Sequence, residues 1–171
     1  MNIRVLYLYM MLKRVALLPV VLVAMIVMPP VSVAQQGSAA SREYLTLEWT
    51  EKRSFSPAVV TEGGKTIWLA GVTAPFDGEG NSLAGDFEAQ THEVFRVIES
   101  RLVELGGSLA DIVTMTVFIG DTRYGNSFVD IRATKFEPGH YPSSALITVS
   151  GFALPGIELE IKATAVLSNS Q

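Results

Sequence analysis

The stretch DFEAQTHEVFRVIESRLVELGGSLADIVTMTVFI, residues 86–119, decides the fold. Phe87, Thr91, Val94, Phe95, Ile98, Leu102 and Leu105 recur in it at steps of three and four. That is the period of a helix with one apolar face. Glu88, Glu93, Glu99, Arg96 and Arg101 fall on the other face. Asp86 is suited to cap the start, and Gly106-Gly107 to stop the end. The spacing predicts an amphipathic helix of about five turns. Residues 112–119 follow as a β-branched, apolar run, which reads as a strand of the buried kind.

On the N-terminal side, residues 44–50 set Leu45, Leu47 and Trp49 against Tyr44, Thr46 and Glu48. The two-residue period predicts a strand. Residues 58–61 and 66–70 flank Glu62-Gly63-Gly64-Lys65, the signal of a hairpin. Residues 75–85 are loop. On the C-terminal side, residues 127–137 predict a shorter helix with Phe128, Ile131, Lys135 and Phe136 on one side, ended by Pro138-Gly139. Residues 144–149 and 157–166 are the last strands, joined through Gly151 and Pro155-Gly156. The order β-β-β-α-β-α-β-β implies an α+β sheet with two helices packed on one face. Its other face needs cover, and association of copies is one way to supply it.

Residues 1–34 stand apart. Arg4, Lys13 and Arg14 are their only charges, an apolar run from Val15 to Met28 follows, and Ser32-Val33-Ala34 offers small residues before Gln35. A basic start, a short apolar core and a small-x-small site describe a signal peptide cleaved after Ala34. The alternative is an uncleaved anchor. The expected localisation is periplasmic or secreted, with no stable membrane association after cleavage. Residues 35–43 read as a polar linker and 44–171 as the folded domain.

Without residues 1–34 the chain keeps 10 of its 13 Lys and Arg and all 17 Asp and Glu, a formal charge of −7. Such a surface disfavours nucleic acid as a partner. There is no Cys, so neither a disulfide framework nor a lipid-modified cysteine is available. No HExxH, GxSxG or P-loop pattern occurs, and no paired His suggests a metal.

The order and spacing of several segments resemble the Rid (YjgF) family. Glu88-Ala89-Gln90-Thr91 resembles that family's EAQT helix start, and Asp111 to Asp121 its DIVKTTVFVKD strand. Trp68-Leu69-Ala70-Gly71 is similar to its ITSGQ strand. Tyr141-Pro142 and Leu159-Glu160-Ile161-Lys162-Ala163 are similar to its FPAR and IEIEA segments. The resemblance implies a chorismate-mutase-like fold, a homotrimer, and ligand clefts between subunits. It implies hydrolysis of 2-imino and 2-enamino acids to keto acids and ammonia, with no cofactor and no metal.

The family's catalytic carboxylate falls on Glu160. Glu158, Glu160 and Lys162 share one strand face, which on its own reads as solvated; the resemblance makes Glu160 a cleft carboxylate, with Lys162 placed to keep it ionised. Other cleft positions carried over are Gly71, Ala70, Ala58, Asp130, Tyr141, Ser144, Ala145 and Leu146. Ser144 stands where the family has a carboxylate-binding Arg, Ala58 where it has Tyr, Ala70 where it has Ser, and Asp130 where it has Asn. A hydroxyl cannot replace a guanidinium fork. Arg132, two residues from Asp130, is expected at the surface or as an Asp partner. His140 reads as a loop histidine near the cleft rim, and His92 as a surface residue. The expectation is a small-molecule imine hydrolase of altered specificity, taking a neutral or cationic ligand, with 2-imino acids disfavoured. The alternative is a non-catalytic ligand-binding or protein-protecting trimer.

Overall fold

A computed structural model describes residues 40–168. The signal-peptide reading of residues 1–34 lies outside them. In chain order the elements are β1 (Ser41–Leu45), α1 (Glu48–Glu51), β2 (Ala58–Glu62), β3 (Lys65–Trp68), α2 (Phe87–Glu104), β4 (Ile112–Ile119), α3 (Gly125–Ala133), β5 (Ser143–Thr148) and β6 (Leu159–Leu167). Short 3-10 turns, Leu109–Asp111 and Thr122–Tyr124, precede β4 and α3.

α2 forms where the periodicity places it. The Asp86 carboxylate accepts from the Ala89 amide at 3.0 Å. At the other end the Gly107 amide donates to the Leu102 carbonyl and the Gly106 amide to that of Val103. Gly106 sits at φ 87°, the left-handed turn that glycine adopts without a Cβ clash. Phe87, Val94, Phe95, Ile98 and Leu102 are buried, and Phe95 packs on Phe128 of α3 and on Phe136. Each fully buried side chain of this kind contributes about 2 kcal/mol. Leu105, expected in the stripe, is 45% exposed, because the helix has already turned at the cap.

The main sheet has four strands in the order β3-β6-β4-β5, antiparallel except for the parallel pair β4-β5. Its register fixes two unlike faces. One carries Leu146, Val117 and Ile161 and is covered by α2 and α3. The other carries Trp68, Thr114, Thr116, Phe118, Ala145, Ile147, Glu160, Lys162 and Thr164, and is open in the protomer. β4 is therefore buried on one face only, and Trp68 (79%) and Ile147 (43%) stand exposed on the other.

Four sequence expectations need correction. The first strand ends at Leu45 instead of running to residue 50, and it begins at Ser41. The Thr50 hydroxyl donates to the Leu47 carbonyl and accepts from its amide, which turns the chain into α1 and buries Thr50 while Leu47 and Trp49 stay exposed. Second, residues 58–61 and 66–70 do not pair as a hairpin: β2 pairs with β1 in a separate two-stranded sheet, and β3 pairs with β6. Gly63 and Gly64, both at positive φ, carry the chain between the two sheets. A Cβ on Gly64 would stand 2.6 Å from the Leu167 carbonyl oxygen. Third, α3 begins at Gly125 and ends at Ala133, since Thr134 and Lys135 turn back in i to i+3 bonds and the Thr134 hydroxyl takes the Ile131 carbonyl. Fourth, the element order gains the short α1. Arg42 of β1 reaches the Asp111 carboxylate and the Val166 carbonyl, tying the small sheet to the large one.

Candidate functional site

Glu160 lies on the open sheet face, opposite Phe118 in β4. The chain segment after β3 runs past it, with Val72 bridged to Ile161 by bonds of 2.9 and 3.0 Å. This brings Gly71 directly beneath the Glu160 side chain. A Cβ on Gly71 would fall 1.8 Å from Glu160 Oε1, so the carboxylate occupies the space that any other residue would fill. Its carboxylate accepts no hydrogen bond among the described residues, and no salt bridge joins it to Lys162, its neighbour two residues on. Glu160 is thus a half-buried carboxylate with free lone pairs. Ala70, exposed, adjoins Gly71, and Ala145 lies on the same open face.

The start of β6 is held from the helix side by Gln90. Its amide nitrogen donates to the Leu83 and Gly156 carbonyls, each at 2.7 Å, and its oxygen accepts from the Glu158 amide at 2.9 Å. Gln90 is fully buried with both ends of its amide partnered. It fixes the strand that presents Glu160.

Ser144 faces the other way. It pairs with buried Met115 and lies on the helix-covered side of β5, as does Leu146. There it meets Arg132. The Arg132 Nη1 donates to Ser144 Oγ at 2.5 Å, Nε to Ser54 Oγ at 3.2 Å, and Nη2 to the Arg53 carbonyl at 2.8 Å. Arg132 is only 2% exposed, and its guanidinium lies 5.1 Å over the Phe128 ring. Burial, aided by the charge on Arg53 and opposed by Tyr141, lowers its pKa to about 10. It remains a cation at neutral pH.

This overturns the surface assignment of Arg132. A cation is not missing beside Ser144; it enters from α3. The signal was present in the sequence, since Arg132 lies four residues after Phe128 and so shares its buried face. Arg53, Phe55, Val129, Arg132, Ser144 and Leu146 line a cavity of about 200 Å³.

The remaining positions scatter. Tyr141 is buried near Arg132, with its pKa raised by burial and by Glu51. Asp130 is exposed on α3, and Ala58 is exposed on β2. His140 packs edge-on against Tyr44 and reaches Glu137 at 3.4 Å. Within one protomer, then, Glu160, Gly71, Ala70 and Ala145 form one group and Ser144, Leu146, Arg132 and Tyr141 another, on opposite sides of the sheet.

Comparison with known proteins fits this architecture. Residues 49–167 match the family model described as Endoribonuclease L-PSP, the Rid/YjgF family. The chain belongs to the Rid family. Among solved structures, it is similar to the Rid-family protein YyfB of Yersinia pestis, with 25% identity and a TM-score of 0.66 over 74% of this chain and 98% of that one. It is also similar to RidA of an Antarctic Psychrobacter, with 25% identity and a TM-score of 0.55 over 73% of this chain and 99% of that one. A YjgF-family protein of Mycobacterium tuberculosis shares 26% identity at a TM-score of 0.52, over 74% of this chain and 100% of its own. Rid members are typically trimers.

Proposed function

We propose that this Rid protein hydrolyses a small C=N compound at Glu160. The observation that carries the reading is the Glu160 carboxylate over Gly71, partly screened from solvent and holding its lone pairs free. In that position it takes a proton from a water molecule as the oxygen attacks the imine carbon. That proton passes to the nitrogen, giving an aminoalcohol; its hydroxyl proton then moves to nitrogen as the C–N bond breaks, and a carbonyl compound and ammonia leave. No redox partner enters this balance.

The reading includes a homotrimer that covers the open sheet face, where Trp68 and Ile147 are exposed. It also includes export, for which the pattern of residues 1–34 is the support; a mature N-terminus at Gln35, read by mass spectrometry, tests it. The activity test times ammonia release from imines generated in place by an amino-acid oxidase, with and without the protein. Faster release with the protein is expected; identical rates across a range of imines would remove the enzymatic reading.

One feature favours a second reading, a non-catalytic binding trimer. Ala70, next to Gly71, brings a methyl group where the resemblance places a hydroxyl, so one donor fewer stands near Glu160.

A further inference from the structure

Burial is inverted along residues 46–57, which carry the chain from β1 through α1 to β2. Leu47 and Trp49 stand exposed there, while Thr50, Ser54 and Ser56 are buried. A segment docked by polar side chains gains little from the hydrophobic effect and lies at the low end of local stability. At its far end the Ser56 amide donates to the Pro142 carbonyl at 3.1 Å, beside the edge of β5. Near its middle, Glu51 Oε1 accepts from the Gly139 amide at 2.7 Å. The ties between these two converge on Arg132, whose Nε donates to Ser54 Oγ and whose Nη2 donates to the Arg53 carbonyl. The Ser54 hydroxyl in turn donates to the Val129 carbonyl at 3.0 Å.

Three features of this docked segment are costly. Ser54 holds φ 52°, a left-handed conformation that a residue with a Cβ avoids. The Ser56 hydroxyl and Glu51 Oε2 are buried without hydrogen-bond partners among the described residues. All three costs are relieved when the segment leaves the body of the protomer and meets water. We propose that residues 46–57 are a strap that opens as a unit from α3 and β5, with Arg132 as its latch, and uncovers the cavity behind it. Arg53 and Phe55 of the strap form one wall of that cavity of about 200 Å³, and Val129 and Leu146 form the other. Opening turns an enclosed space into a groove while α2 and the main sheet stay folded. The strap takes no part in the chemistry proposed at Glu160, so access and turnover can fail separately.

Hydrogen exchange followed by NMR on the intact protein tests the strap. The Ser56 and Gly139 amides are the reporters, since each joins the strap to the body. The two should show one common protection factor, about 100-fold or more below that of the core amides of α2 and β6. Arg132→Lys keeps the charge and removes the fork, and should speed both reporters about tenfold or more relative to α2 and β6. Ser56→Ala removes an unpartnered hydroxyl and should slow both by about threefold or more. Should Arg132→Lys fail to fold, Ser56→Ala decides. Reporters as protected as α2 and β6, unrelated protection at Ser56 and Gly139, or no slowing in Ser56→Ala would each overturn the strap. Unchanged exchange in a folded Arg132→Lys would overturn the latch.

Discussion

Arg132 donates to the Ser144 hydroxyl at 2.5 Å from α3, placing a guanidinium beside the position that lacks one in β5. The charge reaches the same strand from a different element. Burial of Arg132, with the charge on Arg53, brings its pKa down to about 10. Arg132 is therefore a cation through neutral pH and loses its proton in the folded protein as pH rises through about 10. Arg53 and Tyr141 are the charged or titratable neighbours that set this value, and Tyr141 itself stays protonated longer than usual. NMR of carbon-13-labelled guanidinium groups across pH 7 to 11 reads the titration, and an Arg132 resonance that stays unchanged to pH 11 would contradict it.

Gly71→Ala places a methyl where Glu160 Oε1 now lies. The obstacle is the end of a flexible side chain, so the carboxylate swings away while the strand stays. Stability should change by no more than about 1 kcal/mol. Ammonia release should fall at least about tenfold, since a misplaced catalytic group forfeits its orientation. Thermal unfolding and the ammonia rate, measured on one preparation, separate the two effects.

Gln90→Leu removes three hydrogen bonds at once and leaves the Leu83 and Gly156 carbonyls and the Glu158 amide without partners. At 1–3 kcal/mol for each orphaned group, partly relieved by water, a loss of about 3 kcal/mol is expected. A urea titration measures it. Turnover should drop further than the unfolded fraction explains, because the start of β6 carries Glu160.

The sheet face that carries Glu160 is open in the protomer, and the proposed trimer covers it. Ile147→Lys puts a charge on the open face, at a residue paired with Phe118 and facing solvent in the protomer. Sedimentation should give three times the protomer mass for the parent and a smaller species for the variant, whose protomer fold should persist. A parent that sediments as a single protomer would remove the shared cleft.

The long helix was legible from end to end because its signals are local: the Asp86 cap, the stripe from Phe87 to Leu102, and the glycine stop at Gly106. The faces of the sheet were only half legible. Alternation places Glu158, Glu160 and Lys162 together, but whether Ser144 shares their face depends on the β4–β5 register, which no local pattern encodes. The β1 boundary escaped because the Thr50 side chain competes with the extended backbone. Gln90 and Arg132 hid for a shared reason. A polar residue on a helix reads as solvated unless its spacing from buried neighbours is weighed, and both stand in line with buried phenylalanines, Gln90 three residues after Phe87 and Arg132 four after Phe128.

Glu160→Gln, compared with the parent in the oxidase-coupled ammonia assay, tests the proposed chemistry most directly, with thermal unfolding measured alongside. Glutamine keeps the size and removes the base, so ammonia release should fall by about 100-fold or more while the fold stays as stable as the parent's. Equal ammonia release by the two proteins would contradict the claim that Glu160 handles the attacking water.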